Sequence, residues 1–161
     1  MNRFMNQVEM NQQAKLSEHF SLGELTRSKS HPEVYNVPSH VHIENLKRVC
    51  VWLEALRERY NRRYGDGDDP IIITSGYRSA ELNRKVGGVA TSNHLTGCAV
   101  EIRVAGKEQL IRYACILLDY ADETKQDFDE LLLEHGSNGV IWLHFAVRPQ
   151  GNRRRISLLK A

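Results

Sequence analysis

The chain has 161 residues, 41% of them hydrophobic and 26% charged, with a formal net charge of +2. That length fits one domain able to bury a usable core without staples, and the composition is ordinary for a soluble globular protein. The net charge is too small to argue for nucleic acid by itself, and no segment is long and apolar enough to span a bilayer.

The positive charge is uneven. Arg57, Arg59, Arg62 and Arg63 form one group and Arg148, Arg153, Arg154 and Arg155 another. Such runs read as a solvated face and a solvating tail, with attraction to an anionic polymer as the functional alternative. Cys50, Cys98 and Cys115 form no CxxC and leave one thiol over under any single disulfide, which points to reduced, mostly buried cysteines.

Residues 1–15 are polar and aperiodic and read as a flexible tail. They hold no apolar stretch fit for a signal-peptide core, so the expectation is cytoplasmic synthesis without a signal peptide. Leu16 to Leu25 reads as a short helical start, with Ser21 and Glu24 spaced as a capping box. His31 to His40, with Pro32 and Pro38, reads as loop. From Ser39 to about Tyr64, Val41, Leu46, Val49, Leu53, Leu56 and Tyr60 recur at helical intervals and predict a long amphipathic helix. Gly65 to Pro70 ends it.

Ile71 to Thr74 predicts a buried strand, Ser79 to Lys85 a brief helix, and Val86 to Gly97 a structured loop. Cys98 to Val104 predicts a second strand. Lys107 to Asp122 carries Leu110, Ile111, Ala114, Leu117 and Leu118 on one helical stripe. Phe128 to His135 and Val140 to Val147 flank Gly136-Ser137-Asn138-Gly139, a hairpin signal. This order predicts an α+β domain, with helices against a mostly antiparallel sheet, over 16–150, followed by a basic tail over 151–161.

The chemistry concentrates in three places. His94 lies in a Gly-containing loop, and Glu101 follows on the strand that the loop feeds. His144 sits inside the apolar run Ile141-Trp142-Leu143-His144-Phe145. Two imidazoles and a carboxylate are a common ligand set for catalytic zinc, leaving a fourth position for water. Taken singly, a strand histidine is more often a hydrogen-bonded core group than a ligand. Cys98 lies between ligand candidates, but strand alternation points it away from them. His40 and His42 read as capping or exposed residues, Trp52 as core, and Trp142 as a wall beside His144.

The string Thr74-Ser75-Gly76-Tyr77-Arg78-Ser79, then Leu82-Asn83, Val86-Gly87-Gly88, Ser92-x-His94-x-x-Gly97-x-Ala99-x-Glu101 and finally Trp142-x-His144 resembles the zinc D-alanyl-D-alanine carboxypeptidases. Their relatives include phage L-alanyl-D-glutamate endolysins and proteins of the Hedgehog-like fold. Phe20 to Ser28 is similar to the opening of the smaller phage and prophage members. The resemblance runs from about Leu16 to Val147.

It implies one zinc ion per chain on His94, Glu101 and His144, and hydrolysis of peptidoglycan stem peptides. Arg78 would hold the substrate carbonyl or carboxylate, and Ser92 and Trp142 would help bind substrate. The partner would be the wall peptide, with neither nucleic acid nor membrane, and the chain would act as a monomer, reaching the wall after release as endolysins do. Two positions depart from the family pattern. Glu101 stands where aspartate is usual, and Ile141 stands where many relatives carry an acidic base three residues before the last histidine. Glu134, at the end of the preceding strand, is the substitute, provided that the hairpin register turns it toward the site; His135 is the weaker candidate. A domain of the same fold that binds wall peptide without cleaving it, or serves as a phage structural component, is the second reading.

Overall fold

The computed structural model describes residues 10–161. Ser39 opens helix α1, His40–Arg63, through a reciprocal cap: its Oγ accepts from the His42 amide at 3.3 Å while His42 Nδ1 accepts from the Ser39 amide at 3.3 Å. The predicted stripe is buried at Leu46, Val49, Leu53 and Leu56, but Val41, in the first turn, is 68% exposed. After α1, Asn61 closes the turn at residues 64–69 by bonding both the amide and the carbonyl of Asp69.

Strand β1 covers Ile73–Ser75, helix α2 Ala80–Lys85, a single 3-10 turn Asn93–Thr96, and β2 Ala99–Arg103. Helix α3, Lys107–Thr124, buries Leu110, Tyr113, Ala114, Leu117 and Ala121, an i, i+3, i+4, i+7 pattern. Ile111, expected on that stripe, is instead 54% exposed. The hairpin forms as predicted, with β3 at Glu130–His135 and β4 at Ile141–Ala146.

The sheet order is β1-β2-β4-β3, with a fifth strand, β5 (Arg155–Lys160), beside β3. The first four pair antiparallel, and β5 runs parallel to β3. The fold is α+β, as expected. The basic tail is not a tail: residues 155–160 are a strand, and its arginines are paired rather than merely solvated. Arg153 meets Asp129, Arg154 meets Asp122 and Asp127, and Arg155 meets Glu130.

The expected N-terminal tail is also partly structured. Gln12 and Ala14 accept from the amides of Gly23 and Leu22, and Met10, Ala14 and Leu16 pack on the core; residues 1–9 lie outside the described part. The Ser21–Glu24 capping box forms, but it closes a series of turns instead of a helix.

Strand alternation splits the sheet into two chemical faces. Val100, Ile102, Leu131, Leu143 and Phe145 join Leu46, Leu53, Trp52 and Leu117 of the helices in one core. The opposite face carries Glu101 on β2, Trp142 and His144 on β4, and Glu130 and Glu134 on β3. The register sets Glu101 and Leu132 on either side of His144, and Glu134 opposite Trp142. The helices stabilise one face and leave the other free to line a cleft.

Candidate metal centre and cleft

His94 reaches the polar face from the 3-10 turn. Ser92 caps that turn, its Oγ accepting from the His94 amide at 3.1 Å, and Gly97 ends it at φ +76°, in the left-handed region. A Cβ on Gly97 would lie 2.6 Å from the His42 carbonyl oxygen, so glycine also lets the turn press against α1. The His94 carbonyl accepts from the Arg78 amide at 3.0 Å, which ties the histidine loop to the segment after β1.

The imidazole of His94 is 2% exposed. Its Nδ1–H donates to the carbonyl of Gly76 at 2.7 Å, which leaves the lone pair on Nε2. That Nε2 is buried and has no hydrogen-bond partner among the described residues. A buried polar atom left alone is costly, and here it lies 3.7 Å from Glu101 Oε1. The His144 ring stands edge-on to it, with centroids 5.3 Å apart. His94, Glu101 and His144 each offer one ligand atom, all within 4.8 Å of one another. The donor set and the orphaned nitrogen both fit a divalent metal with nitrogen and oxygen ligands. Burial, followed by the Arg78 charge and the neighbouring His144, holds the His94 pKa well below its ordinary value, so the ring stays neutral and ready to ligate.

Arg78 is fixed by three side chains. Its Nε donates to Ser75 Oγ at 3.1 Å, Nη1 to Asn83 Oδ1 at 3.4 Å and Nη2 to Glu101 Oε1 at 3.1 Å. Asn83 also donates to the Val89 carbonyl at 2.9 Å, bracing the loop. The extra methylene of Glu101, relative to aspartate, therefore serves a carboxylate shared between Arg78 and the histidine cluster.

Glu134 lies on the site face and lines the same cleft as His94, Arg78 and Trp142. Burial raises its pKa, against the opposing pull of His144 and of the Trp142 indole. Ile141 alternates onto the helix side and packs against the core, so the position three residues before His144 does not reach the cluster in this regular strand. His135, at the outer end of β3, is exposed. Cys98 is buried away from the cleft and Cys50 is sealed in the core, its thiol pushed up to about 12 by burial.

The cleft has a volume of about 720 Å³. Leu82, Val86 and Val89 give it an apolar wall, and Arg27 and Lys29 stand at its rim. Sequence reasoning missed a group behind the cluster. Asn93 Nδ2 donates to Asp129 Oδ2 and to Glu130 Oε1, both at 2.7 Å, and Arg148 Nε donates to Asn93 Oδ1 at 2.9 Å. Arg153 grips Asp129 with two parallel bonds of 3.0 and 2.8 Å. Burial alone would raise the Asp129 pKa, but the bonds from Arg153 and Asn93 outweigh it and bring it down to about 2. Glu130 Oε1 lies 3.2 Å from His144 Nε2, and that bond is the main cause of its lowered pKa. The available signal was period-two alternation: Glu130, Leu132 and Glu134 share a face, and two acids on one face of an otherwise apolar strand need partners.

Comparison with curated proteins found no match for this chain. The family model described as Peptidase M15 matches residues 18–122, a span that includes Arg78, His94 and Glu101 and stops before β3. The remaining ligand candidate, His144, is supplied by the fold, through its pairing with Glu101 across β2 and β4. With most of its length matched and a buried His/Glu/His cluster in place, the chain belongs to the Peptidase M15 family of metal-dependent peptidases.

Proposed function

We propose that this protein hydrolyses peptide bonds in peptidoglycan stem peptides, using a zinc ion held by His94, Glu101 and His144. The observation that carries this reading is the buried, unpartnered Nε2 of His94, aimed at a carboxylate and a second imidazole inside an open cleft. Zinc bound there supplies a Lewis acid and a water whose pKa falls toward neutrality.

The chain's own residues provide the rest. Glu134, its pKa raised by burial, takes a proton from the attacking water and delivers it to the leaving amine. Arg78, already rigid on three side chains, faces the oxygen on which negative charge develops. Ser92 holds the His94 loop and, with Trp142, walls the substrate. Arg27 and Lys29, exposed at the cleft rim, suit the carboxylates of such peptides. Whether the bond is of the D-Ala-D-Ala or the L-Ala-D-Glu type is decided by substrate assay. The cluster and the cleft are built within one chain, which is compatible with the proposed action of a monomer on wall peptide.

The experiment is elemental analysis of the purified chain together with hydrolysis of purified peptidoglycan. About one zinc per chain, lost in His94→Ala and His144→Ala together with wall hydrolysis, supports the reading. Binding of wall peptide without cleavage by the zinc-loaded chain would favour the non-catalytic reading instead.

A further inference from the structure

Neutral imidazole has one N–H and one lone pair, and whichever nitrogen donates a hydrogen bond leaves the other to ligate. The two histidines of the cluster meet acceptors at opposite nitrogens. His94 gives its Nδ1–H to the Gly76 carbonyl, whereas His144 faces Glu130 with Nε2 at 3.2 Å. Glu130 is 9% exposed and is not one of the three grouped ligand residues. It is also not free to turn. Asn93 Nδ2 bonds its Oε1 at 2.7 Å, and Arg155 Nη1, from β5, meets its Oε2 at 3.4 Å. Asn93 immediately precedes His94, so one amide braces the loop of the first histidine and the carboxylate behind the second.

We propose that Glu130 is a positioning residue that locks His144 as the Nε2–H tautomer and thereby presets Nδ1 as its metal-binding atom, with Asn93 and Arg155 holding Glu130 in place. The inference rests on the metal reading above but is separately testable, because a tautomer can be read in the metal-free protein. Glu130 touches neither substrate nor the reacting atoms; it acts through His144. Partners of this kind are commonly worth 10–100-fold in metal affinity.

The test uses the full chain, labelled with ¹⁵N in its histidines and stripped of metal. Long-range ¹H–¹⁵N correlation spectra at mildly alkaline pH assign the protonated nitrogen of each ring. In the wild type, His94 should carry its proton on Nδ1 and His144 on Nε2. Glu130→Gln keeps an acceptor oxygen and should keep the His144 tautomer. Glu130→Leu removes the acceptor and should give a tautomer mixture at His144 alone, with a zinc dissociation constant raised about 10–100-fold in chelator competition.

A wild-type His144 protonated on Nδ1 overturns the proposal whether or not the variants fold. So does a folded Glu130→Leu that leaves both tautomer and zinc affinity unchanged. Failure of the wild type to bind zinc would sink the metal reading, while the spectra would still decide the role of Glu130.

Discussion

Arg78 Nη2 and His94 Nε2 converge on the same oxygen of Glu101, at 3.1 and 3.7 Å. An aspartate at this position would be one methylene shorter. The glutamate spans both, so the ligand carboxylate also anchors the guanidinium. Arg78→Ala is therefore expected to keep zinc near one per chain while kcat falls about 100- to 1,000-fold, the range seen when a donor to a developing oxyanion is removed. Zinc content and steady-state kinetics on a wall peptide check this, and a Glu101→Ala variant should lose the zinc itself.

Glu134→Gln preserves shape and removes the base. Peptide hydrolysis should fall by about 100-fold or more with zinc content unchanged. In the wild type, the raised pKa of Glu134 places the acid limb of kcat above the ordinary carboxylate range, because the base must be ionised to work. A pH–rate profile flat down to pH 4 would remove Glu134 from this role.

His94 makes metal-free stability depend on pH. Its folded-state pKa lies well below 6.5, so below about 6.5 the unfolded chain takes up a proton that the folded chain refuses. Stability is retained above that pH and declines as pH falls through it, by up to about 1.4 kcal/mol per unit from this one residue. Urea titrations of the metal-free protein from pH 7.5 to 5 should show the decline, and His94→Gln should flatten it.

Gly76 has a different sensitivity. A Cβ there would run into the Leu25 carbonyl, whose oxygen accepts from the Tyr77 amide, while the Gly76 carbonyl holds His94. Gly76→Ala should cost roughly 1–3 kcal/mol as an overpacked site and weaken zinc binding through the displaced acceptor. Thermal melts and chelator competition measure the two effects separately.

The parts of the site legible in the sequence were those governed by local pattern. Donor type and the family resemblance picked out His94, Glu101 and His144, and the Gly136 to Gly139 turn put Glu134 near the site strand, where the observed register pairs it with Trp142. The parts that escaped depend on partners distant in sequence. Arg153, Arg154 and Arg155 look like solvated charge until Asp122, Asp127, Asp129 and Glu130 are brought beside them. Nothing in a run of basic residues announces a parallel strand. Asn93 and Glu130 escaped for the same reason: each has its meaning in the other.

The strand order also sets which parts of the centre can open. β1 and β5 are the outer strands, while Glu101, His144 and the pair Glu130 and Glu134 sit on β2, β4 and β3 inside them. Edge strands fray first, and local opening in native proteins costs less there than in the middle of a sheet. Detachment of β5 would release Arg155 from Glu130 yet leave the β2–β4–β3 ladder intact. Amide exchange should thus rank β5 well ahead of β4, and a chain with a transiently loosened edge would still hold its ligand side chains in register.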